Sequence, residues 1–332
     1  MKKVREVKMP NCPICASPRE EKDFIETYVS SFNKQEYKLY HCPSCDLMWW
    51  EPLQIIPEFY EQEGEEGYAL FHMGLREEIL ENHRMFFEYI PLKTGRLLDV
   101  GCGDGVFLKE AKRAGFEVWG IDFDSKSIKV CQEKWGLKNT FAMSPYEFVS
   151  FCEKEGLKFD IITFFEVLEH QDKPREFLEA IKSMLKPGGY IAGSVPNNEL
   201  IKGIKKPLHY GNVNMPPHHF LWFNVSSLSN TLRILGFADL LIKEVKFKGF
   251  YRTITENAAR IEWAILGMKG VYLRENIKRS LLKTSQFRTS KPRKALFKLL
   301  KGIRNLTFLG FALLGYPLLK GPRIYFQAKK IT

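Results

Sequence analysis

The stretch LLDVGCGDGVFLKEAKRAGFEVWGID, residues 97–122, reads as an apolar strand, a glycine turn, an amphipathic helix and a second strand. The first strand is predicted over Arg96–Val100 and the turn over Gly101-Cys102-Gly103-Asp104-Gly105. Glycines at these positions let the backbone pass close to a ligand where a Cβ would block it or forbid the dihedrals. The following helix aims its free N–H groups over the turn. Asp122, closing the second strand, is a carboxylate placed to take both hydroxyls of a ribose. Together these features describe a nucleoside-binding βαβ unit.

The dinucleotide fingerprint G-x-G-x-x-G does not fit: the third glycine, Gly105, comes one residue early and Val106 stands in its place. Asp99, inside the first strand, would repel a pyrophosphate and welcome a cationic ligand. Asp99-x-Gly101-x-Gly103-x-Gly105 with Asp122 resembles the class I S-adenosylmethionine-dependent methyltransferases, whose cofactor carries an ammonium and a sulfonium. FDIITFFEVLEH (159–170), FLEAIKSMLKPGGYIAGSVPN (177–197) and LSNTLRILGF (228–237) follow in that family's order, so the resemblance covers residues 93–247. It implies an α/β fold: a Rossmann-like seven-stranded sheet whose ligand lies beyond the carboxyl ends of the strands. By position it places Asp99, Gly101, Cys102 and Gly103 near the methionine end, and Asp122 and Phe123 at ribose and adenine. Phe165 joins them from the end of the fourth strand, and Ser144 stands where the family usually offers the adenine amine an acid. An NAD-type dehydrogenase and a cofactor-binding scaffold without activity are the other classes. Transfer of label from the methyl donor separates all three.

Cys12-Pro-Ile-Cys15 and Cys42-Pro-Ser-Cys45 are two C-x-x-C knuckles, each offering two thiolates at the bite of a tetrahedral zinc. Between them DFIETYVSSFNKQEYKLYHC alternates as strands do. The expectation is a structural four-cysteine zinc ribbon over residues 1–52. Knuckles of this kind usually carry glycine after the second cysteine, where this chain has Ala16 and Asp46. Four unrelated thiols or a redox pair is the bland alternative.

Glu166-Val-Leu-Glu169-His170 lies just past the predicted fourth strand, where an acceptor approaches. It resembles the metal-binding segment of ubiquinone-pathway O-methyltransferases and small-RNA 2′-O-methyltransferases. In the latter a downstream histidine completes the site, in a pattern like His218-His219-Phe220-Leu221-Trp222. The resemblance implies a divalent ion (Mg²⁺, Mn²⁺ or Zn²⁺) at Glu166, Glu169 and His170, with His218 or His219. Two plainer readings stay open: His170 or His218 as a lone general base, and purely structural roles. Trp222 and Phe223 suit either an acceptor pocket or the core.

Charge is segregated along the chain. Of a net +11, residues 251–332 contribute +15 from 18 Lys/Arg and three Glu, and the first 250 residues −4. Any anionic partner is therefore expected at the C-terminal quarter. Residues 278–304 mix cations with leucine and phenylalanine, and 306–319 run without charge. That apolar run would extend about 21 Å as a helix, short of a roughly 30 Å hydrocarbon core. The pattern suits the surface of an anionic membrane or a helical lid with a solvated basic side. The N-terminus has no apolar signal core, so a cytoplasmic protein peripheral to the inner membrane face is expected.

The organisation predicted is a ribbon (1–52), a linker and capping helix (53–92), the core (93–249), a basic helical insertion (250–320) and a final core strand (321–332). Tyr60, Tyr68 and His72 are candidates to reach the cofactor from the linker. Ribbon-plus-methyltransferase chains resemble enzymes that methylate sugars, so a sugar or glycan acceptor, lipid-linked or not, is the leading expectation. RNA methylation is the alternative, since ribbon, basic tail and E-x-x-E-H suit nucleic acid too; sugar C-methylation is a third.

Overall fold

The computed structural model describes residues 11–56, 59, 76–199, 214–246 and 320–331. The insertion up to residue 319, including the stretch 278–319 expected at a membrane surface, and Tyr60, Tyr68 and His72 lie outside them. Two compact units are distinguished, one of Met1–Asn197, Pro216–Val245 and Arg323–Thr332, the other of Asn198–Met215 and Lys246–Pro322. In the second, Asn214 Nδ2 donates to Asn198 Oδ1 at 2.8 Å and Lys320 pairs with Glu199 at 2.8 Å. Among the described residues no helix is long and apolar enough to cross a membrane.

The first unit holds two sheets. The smaller consists of β1 (Phe24–Val29), β2 (Glu36–His41) and β3 (Met48–Glu51), joined antiparallel as a ribbon predicts. Its fourth strand comes from far along the chain: β9 (Leu221–Trp222) pairs antiparallel with β3, Met48 opposite Trp222. The ribbon predicted to close at residue 52 thus runs on into a later segment. Tyr37, Trp49, Trp50, Phe220 and Trp222 are fully buried around this sheet, with Trp50 edge-on to Trp222 at 5.4 Å. Trp222 and Phe223 are fully buried, as the core reading of them expects.

The larger sheet has seven strands: β4 (Gly95–Val100), β5 (Phe116–Asp122), β6 (Thr140–Ala142), β7 (Phe159–Phe165), β8 (Leu185–Pro196), β10 (Phe237–Val245) and β11 (Arg323–Lys330). Their order is β10-β11-β8-β7-β4-β5-β6. Strands β4 to β8 are parallel, and β11 inserts antiparallel between β8 and β10. The parallel strands are near-continuous apolar runs because helices cover both faces.

Among the described residues six helices accompany the sheets: α1 (Glu81–Tyr89), α2 (Val106–Arg113), α3 (Ser125–Trp135), α4 (Pro145–Glu155), α5 (Pro174–Met184) and α6 (Val225–Ile234). Their ends follow local chemistry. Asp124 caps α3 by accepting from the Lys126 and Ser127 amides, and Asn224 caps α6 through the Ser227 amide. Ser144 opens α4 in a reciprocal box with Glu147, followed by Pro145. Its hydroxyl is thus engaged in capping, which explains why a serine stands at this position.

Three hydrogen bonds clip the knuckles to helices of the larger layer. Arg175 donates to the Ile14 carbonyl at 2.8 Å, Asn230 Nδ2 to the Cys45 carbonyl at 3.2 Å, and Asn224 Nδ2 to Asp46 Oδ2 at 3.0 Å.

Candidate active site

The glycine loop leaves β4 with Gly101 at φ +74° and Gly103 at +51°, and Gly105 at +78° is the N-cap of α2. A Cβ on Gly101 would meet Val167 Cγ2 at 2.5 Å, and one on Gly105 would meet Cys131 Sγ at 2.8 Å. The loop is held against β5 by the Gly101 and Cys102 amides, which donate to the Ile121 carbonyl. Asp122 takes the Gly103 amide on Oδ2 and the Asp124 amide on Oδ1, each at 2.9 Å. The Phe123 backbone also bonds it, and since a carboxylate has about four acceptor sites, acceptor capacity remains for a ribose hydroxyl. Phe123, next along, is 67 % exposed, a flat ring set out at the strand end as adenine stacking requires. Cradle, carboxylate and exposed ring fit the nucleoside that the resemblance implies.

Asp99 is buried beneath the loop, its Oδ1 accepting from Thr163 Oγ1 at 2.7 Å. Burial pushes its carboxyl up to about 8, opposed by that hydrogen bond, with the Asp122 charge adding to the rise. A cation arriving over the loop would favour its ionised form. Cys102 is buried against Cys131, whose contact, together with burial, raises the Cys102 thiol far above its ordinary range and keeps it protonated. Phe165 is half-buried and packs on His83 and Phe107, with ring centroids 4.6 and 4.8 Å apart.

Sequence reading missed the lock on Asp104. This loop carboxylate is fully buried and held two-pronged by Arg76 at 2.9 and 3.2 Å. No local pattern announces that pair, which spans 28 residues.

At the end of β7 Glu166 adopts φ +56°, a left-handed backbone in a residue that carries a Cβ. Such conformations cost roughly 1–3 kcal/mol and persist where surrounding contacts over-determine them. Here the contacts are specific. The Glu166 amide donates to the Ser194 carbonyl at 2.8 Å, the Ser194 hydroxyl donates to Oε1 at 2.6 Å, and Arg323 Nε donates to Oε2 at 2.9 Å. Asn82 of α1 closes the chain by donating to Ser194 Oγ at 2.8 Å. Asn82, Ser194 and Arg323 come from α1, β8 and β11, so sequence gives no hint that they meet Glu166.

The remaining acceptor-side residues gather separately. His170, His218 and His219 bring one ring nitrogen each within 4.8 Å of the others. Glu169 beside them is 1 % exposed, and among the described residues neither of its carboxylate oxygens has a hydrogen-bond partner. Burial, with the neighbouring Glu166 charge, pushes its carboxyl well up. The three histidines gather in one cluster, whereas Glu166 bonds Ser194 and Arg323, one hydrogen bond to each carboxylate oxygen.

The knuckles do fit zinc. Cys12 and Cys45 sulfurs lie 3.5 Å apart, as do those of Cys15 and Cys42, and the four thiols form one cluster. Zinc–sulfur bonds of about 2.3 Å in a tetrahedron need sulfurs about 3.8 Å apart. A hydrogen bond from Cys45 lowers the Cys12 thiol while the same contact raises that of Cys45, so the two share a proton that a bound metal would displace. Ala16 and Asp46, which replace the usual glycines, sit at φ +58° and +65°, and their amides donate back to Cys12 and Cys42. His41 is not in the cluster; it bonds Asp46 at 2.8 Å.

A family model described as methyltransferase domain matches residues 71–242. The ubiquinone biosynthesis O-methyltransferase of Bordetella avium is 36 % identical over 109 residues, 32 % of this chain and 44 % of that protein. The protein of the same name from Nitrosococcus oceani is 33 % identical over 147 residues, 43 % of this chain and 59 % of its own. The chain thus spans about half the length of the curated relatives it matches. Among solved structures, phosphoethanolamine N-methyltransferase 2 of Haemonchus contortus superposes with a TM-score of 0.50 at 16 % identity, covering 93 % of this chain and 71 % of that one. That likeness shows the fold.

Proposed function

This chain belongs to the methyltransferase-domain family, and from that premise we propose that it moves the methyl group of S-adenosylmethionine to a hydroxyl oxygen of a sugar or glycan. The observation that carries the transfer is the side-chain-free cradle at Gly101 and Gly103 beside Glu166, held in its left-handed turn. Support for oxygen as the accepting atom comes from relatives named O-methyltransferases. The sugar is supported by the resemblance of the ribbon-plus-core arrangement.

Bound in the cradle, S-adenosylmethionine supplies a methyl group on a positively charged sulfur. The chain's own residues align and neutralise. Asp99 lies beneath the glycine loop, where an ammonium or sulfonium favours its ionised form. Asp122 and Phe123 orient ribose and adenine. At the acceptor side Glu166 Oε1 or Oε2 takes the hydroxyl proton as the oxygen attacks, a general-base role worth about 10²–10⁴-fold in rate. Ser194 and Arg323 are positioning residues that keep that carboxylate in one orientation. The knuckles, a closed four-thiol set, leave no coordination position for chemistry and serve structure. The basic and apolar residues 278–319 are proposed to hold the chain to an anionic membrane surface. Deletion of 278–319 should then abolish flotation with anionic liposomes.

The decisive experiment offers tritium-labelled donor with cell-extract glycans, phenols and RNA, and identifies labelled products by mass spectrometry. Label on a glycan oxygen is expected. Label confined to RNA or to phenols overturns the acceptor, and no label in any of them from protein that binds the demethylated cofactor overturns the transfer.

A further inference from the structure

We infer that Asn82 on α1 is a positioning residue for methyl transfer: its amide sets the direction of the Ser194 hydroxyl and through it holds the Glu166 carboxylate. The inference rests on the reading of Glu166 as the base. The directions follow from which atoms carry protons. An ionised carboxylate only accepts, so the single Ser194 hydroxyl proton goes to Glu166 Oε1, 2.6 Å away. The Ser194 oxygen then offers only lone pairs. Its partner on Asn82, 2.8 Å away, must be the donor end of the amide, which fixes Nδ2 toward Ser194 and Oδ1 away from it. Amide, hydroxyl and carboxylate form a one-way chain from α1 through β8 to the turn after β7.

The unpaired half of Asn82 supplies the second observation. Asn82 is 1 % exposed, Ser194 is fully buried, and among the described residues Asn82 Oδ1 has no hydrogen-bond partner. A buried polar atom without a partner is destabilising, and an apolar side chain of similar size would avoid that loss. The amide therefore stands at a cost to stability, and the group it serves is the Ser194 hydroxyl. Its neighbour keeps the helix in place. The His83 ring packs on Phe107, in the first turn of α2 after the glycine loop, and on Phe165 at the end of β7, with centroids 5.2 and 4.6 Å away. Asn82 cannot drift from Ser194 without disturbing that packing.

Arg323 Nε holds Glu166 Oε2 at 2.9 Å independently of Asn82. Loss of the amide therefore loosens one oxygen of the carboxylate and leaves the other held. The base then swings about its remaining contact and meets the attacking hydroxyl in the productive orientation less often. Aspartate at position 82 goes further, because it sets a second acceptor against Ser194 and draws the hydroxyl proton away from Glu166.

The test measures label transfer, thermal melting and demethylated-cofactor binding on the full chain, with the acceptor fraction that the wild type labels. The variants are Asn82→Leu, Asn82→Asp, Ser194→Ala and the double variant of Asn82→Leu with Ser194→Ala. Asn82→Leu should melt no lower than the wild type and bind the demethylated cofactor as the wild type does. Its kcat should fall roughly tenfold or more with KM little changed. Asn82→Asp, which keeps the shape of the side chain, should lose at least as much. Once Ser194→Ala is in place, adding Asn82→Leu should reduce kcat no further, because the amide acts only through that hydroxyl. A purely structural role predicts the reverse, a lower melting temperature with kcat per folded molecule unchanged. That pattern, or losses in kcat that multiply in the double variant, overturns the inference alone. A wild type that labels no acceptor overturns the transfer reading and this inference with it.

Discussion

Gly101 shows most directly how one residue type is dictated by position. With φ at +74° and Val167 Cγ2 at 2.5 Å from where a Cβ would stand, Gly101→Ala meets both backbone strain and a clash. It should cost about 1–3 kcal/mol of stability and weaken the demethylated cofactor at least tenfold in calorimetry; near-wild-type affinity would contradict the cradle. Asp99 carries a pH signature. Because its folded value lies near 8, above that of an unfolded aspartate, the folded chain holds a proton the unfolded chain has released. Its contribution to stability is therefore full at acid pH and declines as pH rises toward 8, with a slope approaching about 1.4 kcal/mol per pH unit. Denaturation of ligand-free wild type and Asp99→Asn from pH 5 to 8 should show the gap between them changing in the variant's favour; parallel curves would refute it. These positions were legible because glycine and strand-end carboxylates answer to local backbone geometry. Glu166 was legible as a candidate, but its partners were not: Arg323 lies 157 residues away and no short pattern joins them.

At the scale of elements, spacing announced the knuckles, and the departures from pattern became informative once their dihedrals were known. Ala16 occupies a left-handed position that costs an ordinary residue about 1–2 kcal/mol, part of which a glycine's greater unfolded freedom cancels. Ala16→Gly should therefore leave the melting temperature unchanged or raise it slightly. Asp46→Gly should lower it, since Asp46 also holds His41 at 2.8 Å and Asn224 at 3.0 Å. Equal shifts in thermal melts of the two variants would show that the side-chain contacts of Asp46 do nothing. The alternation of β4 and β5 with α2 was readable because amphipathic period and glycine stops coincide. Strand β9 was not, since two residues carry no periodicity and its partner strand lies far earlier in the chain.

For the molecule as a whole, the shared strand and the three clips make ribbon and core one body. Calorimetry should therefore record their unfolding as one transition. Stripping the zinc that the four thiols are expected to hold should lower that transition by several degrees while changing demethylated-cofactor affinity less than threefold, because the cradle hangs on β4 and β5. Two separate transitions, or a cofactor affinity that collapses with the metal, would show the coupling to be drawn wrongly. The pairing of β3 with β9 also has a temporal side. During synthesis the edge of Met48–Glu51 emerges long before Leu221–Trp222, and at ribosomal speeds of roughly 5–20 residues per second the gap is about 10–35 s. For that interval the nascent chain displays an open, tryptophan-rich border, a natural landing place for a chaperone or for another nascent copy.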